Sequence, residues 1–428
     1  MMGTGEQDAR AQEDEDRGRA ALRPLLSGLL LLTIALLPIQ GLRPHPRVTV
    51  SDLLLLLAAA VALLVPSRPL AMWFSRWVPL GLGLMVVGGL VGLLRAEPVG
   101  HSAGLLVRLV GVALLALFVV GRWDPSDREV RRALTGYVGV AAVSAFIGTV
   151  AAITEADALA DFQNGVGRAE GLAGNANLFG AVTAVAVAAA AVLAVVAPRR
   201  QLPVWGAAEV ALLAGIAWSG SRSALIGIAV GLLPLVVFLL RTSPKARTAV
   251  LGVVAVVLVI IGLGLAEVIR VPVVDRLLLR SDTAASSRSQ ESTDVRFGQI
   301  ERGLDERGEL SLLVGSGLRD DNPTALHNGH LEVWLGLGLV GLAGWVLVVG
   351  ATVAPAVALA GAARARLDTD AVRVAAASGF LAYAVCALFV DNVWNRYVWI
   401  LVALVAILGT SHSARPVVSE EPAPRTAA

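Results

Sequence analysis

Apolar stretches of roughly bilayer length recur along most of this chain, and none occurs between Arg270 and Leu326. A bilayer core takes roughly 20 apolar residues per helix. On that measure the pattern predicts about twelve transmembrane spans, at 25–42, 48–65, 77–94, 103–121, 133–153, 177–197, 203–218, 223–240, 248–266, 331–360, 372–390 and 395–411. The long polar excursion ends in His327-Asn328-Gly329-His330-Leu331-Glu332, directly before a new hydrophobic helix. The expected organisation is an all-α integral membrane protein. A cytosolic tail (1–24) precedes helices one to nine (25–266), a large extracytoplasmic loop (267–330) separates helices nine and ten, helices ten to twelve occupy 331–411, and a second cytosolic tail fills 412–428.

Composition agrees with that class. The 428 residues are 56% hydrophobic and 16% charged, with mean hydropathy +0.73, more apolar than a soluble core requires. Orientation follows from the basic residues, which are retained on the cytoplasmic side of short loops. Of 35 Lys and Arg, 20 fall on the side that carries both tails, and 6 fall in the short loops opposite: Arg43, Arg47, Arg95, Arg168, Arg222 and Arg396. Both termini are therefore expected in the cytosol, with the chain in the cytoplasmic membrane. Topology accounts for the basic residues, so the net charge of +2 gives no reason to expect a nucleic-acid partner. The acidic run Glu13-Asp14-Glu15-Asp16 contains a formal Asp-x-Asp, but on a polar tail it reads as solvated charge without a metal. The first hydrophobic segment lacks a small-residue cleavage site and reads as a retained helix. Cys386 is the single cysteine, which excludes an intrachain disulfide and a thiolate metal cluster.

With this topology, the polar residues that hydropathy leaves unexplained gather on the predicted outer face. The loop between spans five and six ends Gly171-Leu172-Ala173-Gly174-Asn175-Ala176-Asn177, two amides at a helix start, and the structural alternative for Asn177 is an N-cap. Spans seven and eight are joined by Ser219-Gly220-Ser221-Arg222-Ser223, too short for a domain, which pins one guanidinium at the membrane boundary. The structural alternative for that arginine is snorkelling to lipid phosphates. The large loop adds Arg296 and Gly315-Ser316-Gly317 before the His-Asn pair, and its alternating charges otherwise read as a solvated amphipathic helix.

In this order, the motifs Gly171 to Asn177, Ser219 to Ser223, Arg296 with Gly315-Ser316-Gly317, and His327 to Glu332 followed by Leu337-Gly338-Leu339-Val340-Gly341 resemble the O-antigen ligase and O-antigen polymerase superfamily of bacterial membrane proteins. The resemblance covers roughly residues 160 to 345. It implies a multi-helix glycosyltransferase that moves a glycan from a polyprenyl (undecaprenyl) diphosphate carrier to a glycan, lipid or protein hydroxyl, without nucleotide sugar, metal or other cofactor. Carried over by motif, Arg222 and Arg296 match the family's essential arginines and His327 its essential histidine. Arg168, Asn175, Asn177, Asn328, His330 and Glu332 become candidates for binding donor or acceptor. The family often has Asn-Pro-Asn where this chain has Asn175-Ala176-Asn177, and an aromatic or small residue in place of His330.

The residue chemistry is compatible with that expectation. A lipid diphosphate is already a good leaving group, so the protein's main task is to stabilise the charge released when the anomeric C–O bond breaks. Arginine forks bind phosphate oxygens in pairs and stay charged near lipid. Histidine, with an ordinary pKa near 6.5, suits removal of the acceptor hydroxyl proton. His330 makes a His-x-x-His with His327, and Glu332 follows, but the spacing is not that of a metalloprotease helix. A transporter or flippase of a lipid-linked sugar is the competing class, and transporters place ionisable groups or broken helices near midplane. Within the spans, Arg108 and Glu209 are the main such groups. A protein O-oligosaccharyltransferase would share the donor chemistry and differ in its acceptor.

Overall fold

The computed structural model describes residues 22–41, 48–65, 76–123, 125–164, 167–242, 298–319, 328–361, 367–389 and 395–410, with isolated positions between 247 and 259. The architecture is all-α, apart from a two-residue antiparallel ribbon that pairs Gln163 with Ala169 and Asn164 with Arg168. In chain order the helices are α1 (Leu22–Ala35), α2 (Val50–Leu64), α3 (Trp77–Leu93), α4 (Val99–Trp123), α5 (Asp127–Thr154), α6 (Ala176–Val196) and α7 (Leu202–Ser219). They continue with α8 (Arg222–Gly231), α9 (Leu233–Thr242), α10 (298–307), α11 (Ser311–Val314), α12 (Gly329–Gly361), α13 (Leu367–Cys386) and α14 (Arg396–Thr410).

Six helical segments among the described residues are long and apolar enough to cross a membrane: Val99–Trp123, Asp127–Thr154, Ala176–Val196, Arg199–Ser219, Arg222–Thr242 and Gly329–Ala360. These are the lengths and hydropathies of a multi-pass membrane protein. The expected ninth span, 248–266, falls mostly outside the described residues.

Local chemistry sets the helix starts. Ser126 and Glu129 form a reciprocal capping box on α5, and Thr49 and Asp52 form one on α2. Asn175, Ser221 and Asn328 each place a side-chain oxygen on the first N–H groups of the helix that follows. α6 is the centre of the molecule, an Ala- and Val-rich helix buried along nearly its whole length and packed by α5, α7, α8 and α13.

α3 and α12 meet backbone to backbone. A methyl group at Gly88 would fall 2.4 Å from the Leu337 carbonyl oxygen and 2.6 Å from the Gly341 nitrogen. Close approach of this kind substitutes dispersion for the hydrophobic driving force that lipid removes.

α12 departs from the single continuous span expected over 331–360. Gly338 has φ 68° and ψ −169°, so the helix breaks one residue past Leu337. A break strands the carbonyls of the preceding turn, which lipid cannot satisfy. Gly315-Ser316-Gly317 runs across it: the Ser316 and Gly317 N–H groups donate to Leu335 and Gly336 oxygens at 2.9 and 3.0 Å. Ser316 Oγ adds a second donor to Leu335 at 3.1 Å, and Ser102 Oγ on α4 anchors the Leu318 carbonyl at 2.9 Å.

Contacts also fix which helix ends lie together. The Gly41 N–H after α1 donates to Leu172 O before α6 at 2.8 Å, and Gly329 N–H at the start of α12 donates to Ala387 O after α13 at 2.8 Å. Cys386 at the end of α13 reaches the Ser223 carbonyl at the start of α8. Arg396 at the start of α14 pairs with Asp52 in the first turn of α2. This is the upper end of the bundle. At the lower end, Arg122 at the end of α4 donates to Val65 O after α2, and Arg241 of α9 donates to Ala360 O of α12.

Candidate functional site

The described parts of the four sequence motifs converge at the upper end. Before α6, the short ribbon presents Arg168, whose Nε donates to the Ser219 carbonyl at 2.6 Å and whose Nη2 donates to Asn177 Oδ1 at 3.0 Å. One guanidinium thus joins the loop before α6 to the end of α7. The cap is Asn175, whose Oδ1 accepts from Asn177 N and Leu178 N at 3.0 and 3.1 Å. Asn177 is not the cap but sits inside the helix, where its amide oxygen receives Arg168. The loop is tied down by Ser144 Oγ of α5, which accepts from the Leu172 N–H at 2.8 Å. Glu170 lies half-buried beside it. Burial raises its pKa above the ordinary carboxylate range, while the Ala176 N–H and the Arg168 charge pull it back down.

The α7–α8 turn is built from serines. Gly220 takes the left-handed conformation (φ 61°) that ends α7. Ser219 Oγ accepts from the Ser221 N–H at 3.1 Å, Ser221 Oγ caps Ala224 N at 3.4 Å, and the Ser221 and Ser223 hydroxyls lie 2.9 Å apart. Arg222 is then the first residue of α8, half-buried. A cation there opposes the positive end of the helix dipole, and it and the first-turn N–H groups attract the same anion.

At the start of α12 the polar groups are matched internally. Asn328 Oδ1 accepts from His330 N and Leu331 N at 3.1 and 3.0 Å. His330 Nδ1 accepts from Trp345 Nε1 at 2.7 Å, so its other nitrogen carries the proton and donates to Ala384 O at 2.8 Å. Glu332 is wholly buried and receives Arg307 through two donors, Nη2 at 2.8 Å and Nη1 at 3.4 Å. The Arg319 N–H adds a third at 2.7 Å.

Of the nine residues singled out by sequence, seven are described: Arg168, Asn175, Asn177, Arg222, Asn328, His330 and Glu332. Arg296 and His327 lie outside the described residues. The last turn of α13 is the common neighbour of the two halves, with Cys386 on Ser223 and Ala384 on His330. Sequence reasoning missed Arg307, which had been grouped with solvated loop charges, and Trp345. It also missed the trio in which Arg396 reaches Asp52 at 3.0 Å and Gln40 at 2.8 Å. Each partner is remote in sequence, so no local spacing marks it. Among the described residues no group of three His, Cys, Asp or Glu side chains is placed to hold a metal ion. No protein-family model matches the chain, and a search of curated proteins finds no match either.

Proposed function

We propose that this protein is a metal-independent membrane glycosyltransferase, moving a glycan from a polyprenyl diphosphate to a hydroxyl acceptor in cell-surface polysaccharide assembly. In this reading about twelve helices cross the cytoplasmic membrane, both termini are cytosolic, and the upper end faces outward. The single observation that carries it is the meeting of the Arg168 ribbon with the arginine-bearing start of α8. Arg168 grips Ser219, three residues before Arg222, and Gly180 in the second turn of α6 packs on Ser221 and Ala224 at the start of α8. Two guanidiniums with the first N–H groups of α8 suit a diphosphate.

The acceptor oxygen bonds to the anomeric carbon as the bond from that carbon to the phosphate oxygen breaks. The electron pair leaves with the diphosphate, which Arg222, Arg168 and Arg296 stabilise. The hydroxyl proton passes to His327. His330 is not that base in this scheme, because both its nitrogens are already bonded within the protein.

One observation favours transport as the second reading: the break in α12 at Gly338, since discontinuous helices line many transport sites. Its freed carbonyls at Leu335 and Gly336 are, however, occupied by Ser316 and Gly317, which leaves them poor ligands for a passing ion. The test is incubation of purified protein with polyprenyl-diphosphate oligosaccharide and acceptor, products resolved by length. A ladder identifies a polymerase and a single addition a ligase, including one with a protein acceptor. Absence of any transfer, with movement of the lipid-linked glycan across a proteoliposome, overturns the reading in favour of a flippase.

A further inference from the structure

Arg108 lies in the interior of α4, a 25-residue helix that is apolar over most of its length. The face that packs inward is apolar or small: Leu105, Leu109, Ala113 and Ala116 are buried. Arg108 is on the opposite face, exposed, between Val107 at 71% and Leu114 at 54%. Among the described residues no side chain or carbonyl pairs with its guanidinium. It stands nine residues past Val99, so roughly 13 Å along the axis from the upper end of the helix at 1.5 Å per residue.

A helical side chain leans toward the N-terminus over the preceding turns. For Arg108 those turns present Gly104 four residues back, the half-buried His101 seven residues back and in line with it, and Gly100 beside His101. A Cβ built on either glycine meets nothing within 4 Å. The guanidinium therefore has open space toward the upper end over Gly104, with His101 and Gly100 one turn beyond. A lone cation facing hydrocarbon is costly until an anion joins it.

We propose that Arg108, with Gly100 and Gly104, forms a binding site for the phosphate of an anionic glycerophospholipid, holding one lipid of the upper leaflet against α4. The charge is complementary, and the glycines leave room for a headgroup below the usual phosphate level. α4 packs on α2, α3 and α14, whereas Arg168 and Arg222 belong to the α6–α8 side. The ligand is accordingly a bilayer lipid and not the glycan donor, and the inference does not depend on the proposed activity.

The experiment is native mass spectrometry of the full chain in detergent, with phosphatidylglycerol, phosphatidylcholine or undecaprenyl phosphate added separately. Wild type is expected to retain phosphatidylglycerol in preference to phosphatidylcholine, and Arg108→Gln to bind it about fivefold more weakly, the scale of one basic residue at an anionic surface. Arg108→Lys should keep most of the binding. Gly104→Leu, which fills that space but spares the charge, should lose it without changing thermal stability. Equal phosphatidylglycerol retention by wild type and Arg108→Gln overturns the site. So does retention of undecaprenyl phosphate alone, or a dimer that Arg108→Gln dissociates, which would make the face a contact between copies.

Discussion

At the start of α6, Asn175 accepts the N–H groups two and three residues on; at the start of α12, Asn328 does the same with almost the same distances. Beyond the cap the two regions diverge. Around α12 the charge is matched, with Arg307 fully buried against Glu332 and the histidine bonded at both nitrogens. Around α6 Arg168 donates to the Ser219 and Asn177 oxygens while its charge also acts on the half-buried Glu170, and the next helix begins with a second arginine. A buried matched pair has spent its charge on architecture. A planar guanidinium at a helix start still suits phosphate oxygens, which accept from it in pairs.

The largest effects should come from removing chemistry at the arginine-rich side. Arg222→Ala is expected to lower transfer by at least about 10²-fold with the protein inserted and folded, the scale of losing one preorganised donor at developing charge. Arg222→Lys should recover little, because a point charge lacks the planar fork. Near-wild-type turnover by the lysine variant would mean that the position only carries charge. His327→Ala should cut the rate about 10²–10⁴-fold while donor binding persists. Wild-type turnover should also fall on acidification, as the imidazole takes up the proton it must accept. An acid-insensitive rate removes His327 as the base.

The matched side should respond in stability. Glu332→Ala leaves the Arg307 charge buried without its partner and should cost roughly 3–5 kcal/mol. Pairing it with Arg307→Met should restore much of that loss in thermal unfolding, and a double variant no better than the single one would break the contrast drawn here. Asn175→Ala and Asn328→Ala should each cost about 1 kcal/mol as lost caps. Asn177→Ala should leave stability closer to wild type and lower transfer through a less well-held Arg168. Loss of expression for Asn177→Ala, with none for Asn175→Ala, would reverse the assignment of cap and partner.

Apolar runs made the helices legible because lipid-length hydrophobicity is a local property, and Arg222 was legible as a charge in a turn too short to hide it. Which asparagine caps α6 was not: both are near the boundary, and a shift of two residues exchanges their roles. The break at Gly338 was hidden for another reason. Its neighbours Leu337 and Leu339 continue the apolar pattern, and the chain that compensates it, Gly315 to Gly317, lies some twenty residues earlier. Glu332 read as a candidate for binding donor or acceptor until Arg307, 25 residues away, took both its oxygens.

The central claim is that the α6–α8 side holds the leaving diphosphate, and the most direct measurement follows glycan transfer from polyprenyl-diphosphate oligosaccharide by purified wild type and Arg222→Ala in EDTA. Wild type is expected to form the new glycosidic bond unaffected by the chelator, and Arg222→Ala to form almost none while remaining monodisperse and thermally stable. Transfer that continues in Arg222→Ala, or that stops in wild type with EDTA and returns with magnesium or manganese, would contradict the account.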